Sequence, residues 1–547
     1  MHLAEMGPNA IIRRDTDIGS RDIDWGHDWI GEARKHYLQD DLLNVHEFLQ
    51  QASSSDRNNS TITEEDFAEN EYENLNEMQK TIFKKIEDHY YDTISEKHVE
   101  PLRMLIMGTA GTGKSYLIKA VRSRLHTMAG NEAESPVLVI APTGVAAFNI
   151  NGATIHSKLS VPISKDKKYN LEGKRLKQLQ ERLKDVKYFI IDEKSMVGKQ
   201  MLGIIDTRLK QAFPEKINEP FGGRSVIMFG DFGQLPPVLD LPMYVEKPST
   251  DEMSNKGKAA YRNFSEVYKL SVIQRQSGES EEQRDFRDLL LRLREGESSL
   301  KDWETLTKRF EVNLSQSEQD RFKDAVFIQT IWDDVNKVNI EMLRGLNQPV
   351  AKIEAVHTGG SQAKRANSDT AMGLEPQLLL ARGCRIMLTT NLWTEAGLVN
   401  GSMGIVYDIL FEEQGPPVLP KVIFVKFDQY TGPTISNLEG EKVVPISPIK
   451  RSWEKNGTTC SRLQLPICLA WAITVHKSQG LTLEKANIDI GTNEFAAGLT
   501  FVAISRVRSL NNICLKPFSF DRLQLIKNHI RLQERKKEEK RLLSTTT

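Results

Sequence analysis

The sequence contains few cysteines and no long apolar run. Only four of its 547 residues are cysteines, and no two of them form a C-x-x-C pair (Cys384, Cys460, Cys468 and Cys514). A zinc site or a disulfide framework is therefore disfavoured, and a reducing compartment is expected. No segment is long enough to span a bilayer, and no basic stretch followed by an apolar one opens the chain. We therefore expect no membrane partner and no signal peptide.

An excess of charge of either sign is also missing. The chain has 73 Lys and Arg against 74 Asp and Glu, a net charge of -1. This excludes a uniformly basic surface but leaves room for a basic groove. The composition, 39% hydrophobic and 27% charged, is typical of globular proteins. A chain of this length exceeds what one core supports, so we expect two or more domains.

A glycine-rich loop follows the apolar segment 102–107. Its residues match the pattern G-x-x-x-x-G-K-[ST], and a helical pattern comes directly after it (Gly108, Thr109, Ala110, Gly111, Thr112, Gly113, Lys114 and Ser115). In such a loop the backbone N–H groups point at phosphate oxygens. Lys114 can reach the β- and γ-phosphates, and the Ser115 hydroxyl can ligate Mg²⁺. The sequence therefore predicts a nucleoside triphosphate site.

Three more apolar segments, 137–141, 186–191 and 225–230, predict a parallel sheet with helices on both faces. Asp192 and Glu193 follow the second of them. We expect Asp192 to hold the magnesium shell and Glu193 to orient and deprotonate the attacking water.

Two glutamines near these segments have roles that the residues alone leave open. Gln234 follows the segment 225–230 and can sense the γ-phosphate, although a simple turn amide is the alternative. Gln79 lies in a predicted helix just before the phosphate loop. Its amide can read an adenine edge, and a solvated helix residue is the alternative.

The motifs resemble, in order, those of the Pif1 family, superfamily 1 DNA helicases related to RecD. The resemblance extends from about Leu75 to Leu525, through motifs at 108–115, 141–147, 192–196, 220–223, 230–237, 270–276, 398–404, 470–482 and 501–508. Two positions depart from the family. Lys194 stands where an apolar residue is usual, and Gly233 where a bulky one is common. We expect both to tune coupling between ATP and DNA.

The resemblance implies an α/β fold with two RecA-like P-loop motor domains and small inserted wedge and SH3-like β-barrel subdomains. The expected divisions are a polar, partly disordered N-terminal extension (1–74), a first motor domain (75–260) with a wedge at about 157–185, a second motor domain (261–399 and 463–530), an SH3-like insertion (400–462) and a charged tail (531–547). The tail is expected to form a solvent-exposed helix; a nuclear-import or DNA-binding tail is the alternative.

The resemblance also implies roles for residues in the second half of the chain. Arg275 and Arg506 correspond to the family's motif IV and motif VI arginines, which approach the phosphates across the interdomain cleft. The expected DNA contacts are Thr143, His156, Thr474, His476, Lys477, Ser478 and Gln479. His156 taken alone is more typical of a structural histidine.

The resulting functional hypothesis is an ATP-dependent DNA helicase that moves 5′ to 3′ on single-stranded DNA and uses ATP and Mg²⁺. We expect forked duplex DNA as a partner, a monomeric motor, a role in DNA repair, recombination or telomere maintenance, and an intracellular location, in the nucleus or the mitochondrion. The first alternative is a DNA-stimulated ATPase or ATP-switched DNA-binding protein without unwinding, of mobile-element origin. An RNA-directed motor is the second.

Overall fold

The computed structural model describes residues 18, 21–37, 45, 48, 72–130, 135–161, 170–273, 280–436, 440–455 and 458–544. The chain forms two compact units. The larger unit comprises residues 61–323 and 478–547, and the smaller unit comprises residues 1–60 and 324–477. Within the described ranges, no helix is both long and apolar enough to cross a membrane.

The larger unit is organised by a six-stranded parallel sheet with the strand order β3-β2-β4-β5-β1-β6. Its strands are β1 (Arg103–Gly108), β2 (Val137–Ala141), β3 (Ala153–Thr154), β4 (Tyr188–Ile191), β5 (Ser225–Gly230) and β6 (Glu266–Leu270). The four strands predicted from apolar runs are β1, β2, β4 and β5, which are neighbours in the middle of the sheet. Strands covered on both faces have no polar face, and this explains their continuous apolar sequences.

Alternate residues of the central strands enter two separate hydrophobic cores. Leu105, Phe189 and Met228 belong to one core, and Ile106 and Ile190 belong to the other. Helices supply the remaining core residues. The α-helices of this unit are Glu77–Ile94, Lys114–Ala129, Gly144–Asn149, Ile155–Lys158, Gly173–Leu183, Lys199–Ala212, Glu252–Tyr261, Glu281–Glu295, Leu300–Thr307, Gln316–Asp320, Leu499–Ile504, Phe520–Gln524 and Ile530–Ser544. The mixed α/β class with a parallel sheet is therefore confirmed.

Short 3₁₀ turns and one further strand pair complete the larger unit. The turns are Lys194–Met196, Pro214–Lys216, Pro220–Gly223, Glu311–Asn313, Leu510–Asn512 and Leu525–Asn528. The strands β20 (Ala486–Ile488) and β21 (Ile513–Leu515) pair in parallel. Lys165 to Lys168, the basic part of the expected wedge, lie outside the described residues. The described helix Gly173–Leu183 of that insertion buries Leu179 and Leu183 in the core.

The expected boundary after residue 260 is wrong. Strand β6 pairs in parallel with β1, from Met104 opposite Glu266 to Gly108 opposite Leu270, and so completes the first sheet. The sequence concealed it because β6 is an edge strand that leaves Lys269 exposed. A half-exposed strand of five residues lacks the apolar run by which the central strands are recognised.

The expectation of a solvent-exposed tail is also wrong. The helix Ile530–Ser544, named here the C-terminal helix, buries Leu532, Arg535, Glu538 and Leu542. Glu538 accepts a 2.8 Å hydrogen bond from the Tyr261 hydroxyl. Charged residues of the C-terminal helix form ion pairs with other segments of the larger unit. A sequence in which positive and negative residues are mixed does not reveal such pairs.

The smaller unit is mainly antiparallel. Its strands are β7 (Val326–Gln329), β8 (Ala351–Glu354), β9 (Val356–Thr358), β10 (Gln377–Leu380), β11 (Arg385–Leu388), β12 (Met403–Leu410), β13 (Val422–Phe427), β14 (Ile435–Ser436), β15 (Lys442–Ile446), β16 (Ile449–Lys455), β17 (Thr458–Gln464), β18 (Ile467–Leu469) and β19 (Ala472–Thr474). Six of them form a sheet in the order β14-β15-β13-β12-β11-β18. Strands β12, β13 and β15 lie in the segment 400–462, where the SH3-like insertion is expected.

The other strands of the smaller unit form smaller groups. β16, β17 and β9 form a three-stranded antiparallel sheet, β8 pairs with β10, and β7 pairs in parallel with β19. The helices are Asp22–Trp25, Gly31–Arg34, Trp332–Gly345 and Gly360–Arg365, and the short helix Val475–Ser478 contains the chain boundary of the two units.

Residues 21–37 are not a detached extension. The ring of Tyr37 stacks on Phe424 with centroids 4.1 Å apart, and His36 Nδ1 lies 2.8 Å from a carboxylate oxygen of Asp408. Trp29 packs edge-on against Phe411. This segment therefore covers strands β12 and β13.

Arg462 on β17 is wholly buried and joins this strand to the segment 363–374 of the smaller unit. Its guanidinium donates to the carbonyls of Leu374 (2.8 Å), Ala363 (3.1 Å) and Ala366 (2.6 Å), and burial lowers its pKa to about 10. Arg462→Ala is expected to destabilise the fold by about 3 kcal/mol, because three carbonyls lose their donor. Urea unfolding would measure this as a lower midpoint.

Arg365 supplies the matched control for this prediction. It lies on the helix Gly360–Arg365 that contains one of the carbonyl acceptors, but it is exposed. Arg365→Ala is expected to change stability by less than about 0.5 kcal/mol. Equal midpoint shifts for the two variants would contradict the role given to Arg462.

Candidate nucleotide site

A cleft of about 260 Å³ in the larger unit gathers the residues that follow β1, β4 and β5. The phosphate-loop residues that line it are Ala110, Gly111, Gly113, Lys114 and Ser115. Asp192, Glu193, Gln234 and Arg506 line the same cleft. The carboxyl ends of parallel strands meet at one edge of a sheet, and this brings together residues that are far apart in the sequence.

The phosphate loop adopts a conformation that depends on glycine. Gly111 and Gly113 have φ values of 85° and 79°, in the left-handed region that only glycine enters freely. The helix Lys114–Ala129 begins directly after them. The Lys114 ammonium donates to the carbonyls of Gly108 (2.8 Å) and Thr109 (2.9 Å), so the loop folds around the lysine.

Gln79 is buried against this loop and is not a solvated helix residue. Its side-chain oxygen accepts from the Asn76 backbone N–H at 3.0 Å, which closes a capping box at the start of the helix Glu77–Ile94. Its Nε2 donates to the carbonyls of Gly113 (3.3 Å) and Thr112 (3.4 Å). Gln79 thus joins the helix start to the loop, and its contact with adenine stays a prediction.

The acidic pair combines burial with an unusual backbone conformation. Burial, together with the neighbouring charge of Glu193, raises the pKa of Asp192 to about 7, while the Lys114 charge opposes this. Glu193 has φ 51° and ψ 50°, a left-handed conformation that costs about 1 kcal/mol or more for a residue with a side chain. Such strain concentrates at functional positions.

One oxygen of Glu193 has a free hydrogen-bonding position. Its Oε2 is buried and contacts no hydrogen-bond donor among the described residues. A buried carboxylate oxygen without a donor needs a water or a ligand. The donor set of Ser115 hydroxyl and Asp192 carboxylate, beside a phosphate loop, fits Mg²⁺, which binds through one or two protein oxygens plus phosphates.

Gln234 contacts one of the residues expected to bind DNA. Its Oε1 accepts from Gln479 Nε2 at 3.2 Å, and the same Nε2 lies 3.4 Å from Ser195 Oγ. The side chains of Gln479 and Ser478 are both buried. A DNA contact by either residue therefore requires a rearrangement, and that assignment stays a prediction.

The other expected DNA contacts are divided between the units. In the smaller unit Thr474 is buried, burial lowers the pKa of His476 to about 4, and Lys477 Nζ lies 3.1 Å from Asn400 Oδ1. In the larger unit Thr143 caps the helix Gly144–Asn149, and His156 is half-buried in the short helix Ile155–Lys158.

Arg506 belongs to the same compact unit as the phosphate loop, whereas the resemblance implied that it comes from a second domain. It is 2% exposed, and its Nε donates to the Val502 carbonyl at 2.7 Å. Its Nη1 and Nη2 lie 3.3 Å from the Leu481 carbonyl and 2.8 Å from Ser505 Oγ. Arg275 lies outside the described residues.

Asn149 lines the cleft and Lys194 follows Glu193 in the chain, and the sequence analysis assigns neither of them a catalytic role. Lys194 is fully buried, its Nζ donates to the Gly230 carbonyl at 2.6 Å, and burial lowers its pKa to about 7. The ammonium lies 4.0 Å from the centroid of the Phe232 ring. Asn149 lines the cleft and donates to the Gly480 carbonyl at 3.3 Å. The sequence signal for it is weak, because Asn149 lies two residues beyond the motif 141–147.

Comparison with known proteins gives one family. A family model described as PIF1-like helicase matches residues 74–304. The ATP-dependent DNA helicase PIF1 of Mus musculus is 30% identical over 445 residues, which cover 78% of this chain and 60% of the relative. That of Xenopus laevis is 31% identical over 412 residues, which cover 75% and 58%. The chain thus spans about 60% of the length of these curated relatives.

Solved structures agree with this assignment. The Pif1 helicase from Candida albicans has a TM-score of 0.65 and 25% identity, and the match covers 85% of this chain and 99% of that one. The Pif1 helicase from Bacteroides in complex with ADP-AlF3 and single-stranded DNA has a TM-score of 0.61 and 26% identity, with 85% and 97% covered. The matched region carries the phosphate loop, the acidic pair and Gln234, and over this region the chain is similar to Pif1 helicases.

Proposed function

We propose that this chain is an ATP-dependent DNA helicase that moves 5′ to 3′ on single-stranded DNA and opens duplex DNA. The observation that carries the proposal is the convergence of Lys114, Glu193 and Arg506 on one cleft. A cation at the phosphates, a base for water and a second cation for the developing charge are the groups that phosphoryl transfer needs. A glycine-rich loop with a purely structural role would need neither Glu193 nor Arg506.

The residues of the cleft divide the chemistry. The loop N–H groups and Lys114 bind the phosphates, once Lys114 exchanges the Gly108 and Thr109 carbonyls for phosphate oxygens. Glu193 Oε2 accepts a proton from the attacking water. Arg506, which lines the same cleft, is the proposed cation for the charge that grows on the γ-phosphate. Gln234, bonded to Gln479, senses that phosphate and links it to the motif 470–482.

Mg²⁺ is part of this proposal. Ser115 and Asp192 would hold it, and it would neutralise phosphate charge when bound. Asp192 must be ionised for that role. Burial alone works against ionisation, which is the cause of its raised pKa, and a bound cation favours the charged form.

Single-stranded and forked DNA are the proposed partners. Similar solved structures are those of a Pif1 helicase bound to single-stranded DNA and of Pif1 helicases in DNA unwinding at forked double-stranded DNA. The proposal includes two RecA-like domains, a wedge, an SH3-like insertion and action as a monomer. It also includes roles in DNA repair, recombination or telomere maintenance, in the nucleus or the mitochondrion. The antiparallel strands β12, β13 and β15 support the insertion.

The test combines hydrolysis with unwinding. Steady-state ATP hydrolysis is measured with and without single-stranded DNA, and forked duplexes with a single 5′ or 3′ tail are offered as substrates. We expect strong stimulation by DNA and unwinding only from the 5′ tail. Lys114→Ala, which removes the cation at the phosphates, should lose both activities while keeping the fold.

The alternatives predict different results. Stimulation by DNA without opening of either fork would favour the DNA-stimulated ATPase or ATP-switched binding protein. Stronger stimulation by RNA than by DNA of the same sequence would favour the RNA-directed motor. Hydrolysis that ignores nucleic acid would overturn the proposal.

A further inference from the structure

The C-terminal helix is bonded to a loop that borders the nucleotide cleft. This loop, residues 231–234, ends with Gln234. Arg294, on the helix Glu281–Glu295, makes the connection: its Nη2 donates to Asp231 Oδ1 at 2.5 Å and to Glu539 Oε1 at 2.6 Å. Asp231 Oδ1 also accepts from the Gly233 N–H at 2.8 Å. One guanidinium thus joins the loop to the C-terminal helix.

The ion pair at the loop is strong. Burial would raise the pKa of Asp231, but the charge and hydrogen bonds of Arg294 outweigh it and hold that pKa well below the usual range. Asp231 is 2% exposed, so solvent screens the pair little. Arg294 is shared between Asp231 and Glu539, and a change at Glu539 therefore alters the bonding of Arg294 to the loop.

A second arginine, Arg535, lies on the C-terminal helix and fills the space beside Gly233. Arg535 is buried, and its Nη2 donates to the Arg294 carbonyl at 2.8 Å and to Glu295 Oε2 at 3.0 Å. A Cβ atom on Gly233 would lie 2.3 Å from Arg294 Nε and 2.4 Å from Arg535 Nη1. The two guanidinium groups therefore pack directly on the loop backbone.

The opposite side of the loop contacts the segment that leads to Arg506. A Cβ on Gly498 would lie 2.5 Å from the Gly233 carbonyl oxygen, and Gly498 has φ +89°. Gly498 caps the helix Leu499–Ile504, which ends two residues before Arg506. The loop is thus held between two arginines and a helix start. Close packing on both sides restricts the backbone of the loop to one conformation. A shift of the C-terminal helix would therefore displace Gln234.

We propose that the C-terminal helix positions Gln234 for ATP hydrolysis, with Glu539 and Arg535 as positioning residues that act through Arg294 and the loop 231–234. The inference rests on the proposed function, because Gln234 matters only if the cleft hydrolyses ATP. Gln234 senses the γ-phosphate, so its misplacement should lower kcat under DNA stimulation and leave the KM for ATP nearly unchanged.

The test compares two neighbouring isosteric changes in the full chain. Glu539→Gln removes the charge of one of the two carboxylates that bind Arg294. The other, Asp231 on the loop, is unchanged. Glu538→Gln is the matched control, because Glu538 anchors the same helix through Tyr261 and Arg541 and is not bonded to the loop. DNA-stimulated kcat, the KM for ATP and the unfolding temperature are measured for each variant and for the wild type.

We expect Glu539→Gln to lower DNA-stimulated kcat about tenfold, because a neutral amide oxygen holds Arg294 more weakly than a carboxylate does, with KM changed by less than about twofold. Glu538→Gln should lower the unfolding temperature and keep kcat within about twofold. An unchanged kcat for Glu539→Gln, or equal losses of kcat for both variants, overturns the inference alone. A wild-type chain without DNA-stimulated hydrolysis overturns the proposed function as well.

A double-mutant cycle tests the packing on the loop. Gly233→Ala should lower DNA-stimulated kcat about tenfold, because its methyl group displaces Arg294 and Arg535 from the loop. In an Arg535→Ala background Arg294 can shift into the freed space, and the further loss from Gly233→Ala should be less than about threefold. Equal losses in the two backgrounds would show that Arg535 does not act through this loop.

Discussion

Arg506→Ala is expected to lower kcat for ATP hydrolysis by about 10³- to 10⁵-fold. The guanidinium lines the cleft and is already desolvated, so its charge acts on the γ-phosphate at low dielectric. Its Nε donates to the Val502 carbonyl of the preceding helix Leu499–Ile504, which fixes its direction before nucleotide arrives. A positioned cation acts mainly on the transition state, so single-turnover hydrolysis at saturating ATP is the measurement.

Arg508 provides the control for this variant. It lies two residues away in the same motif but is exposed. Arg508→Ala should leave single-turnover hydrolysis within about threefold of the wild type, and both variants should bind a fluorescent ADP analogue with nearly unchanged affinity. If Arg506→Ala loses nucleotide binding to the same extent as hydrolysis, Arg506 contributes to nucleotide binding and does not act specifically on the transition state.

Glu193→Gln is expected to lower the rate of hydrolysis by about 10²- to 10⁴-fold, the range of a general base. The substitution keeps the size of the side chain and removes the carboxylate that accepts the proton. Oε2 is the buried oxygen without a donor among the described residues, so it is the atom free to bind water. Pre-steady-state hydrolysis of ATP measures the effect.

ATP binding separates this role from a structural one. Glu193→Gln should bind ATP at least as tightly as the wild type, because a carboxylate near the phosphates is removed. Glu181, exposed on the helix Gly173–Leu183, gives the control: Glu181→Gln should hydrolyse ATP at the wild-type rate. A Glu193→Gln chain that still turns over within about tenfold of the wild type would exclude Glu193 as the base.

The buried centre of the first sheet was predictable, and its edge was not. Strands β2 and β5 have the bounds that their apolar runs predicted, because burial on both faces favours apolar residues along the whole strand. The edge strand β6 has no such constraint. The phosphate loop was predictable because its glycines carry the conformation themselves, as the φ values of Gly111 and Gly113 confirm.

The parts of the site that depend on long-range pairing were not predictable. Arg294 and Glu539 are ordinary charged helix residues in the sequence, and only the packing of two helices places Arg294 between Glu539 and Asp231. Gln79 was predicted near the nucleotide, but its bonds to the backbone of the loop follow from the fold. Pattern and propensity report on local structure, whereas these contacts join segments up to 308 residues apart (231 to 539).

The larger unit is built from two chain segments, 61–323 and 478–547. The ribosome synthesises the first of them, then residues 324–477 of the smaller unit, and then the second. The phosphate loop and the acidic pair emerge first, and the whole smaller unit is translated before Arg506 appears. At about 5 to 20 residues per second, roughly 15 to 60 seconds separate Glu193 from Arg506. A nascent chain would thus hold a phosphate-binding loop well before it holds the arginine. If the proposed function holds, nascent copies of this chain are expected to bind nucleotide during synthesis without hydrolysing it.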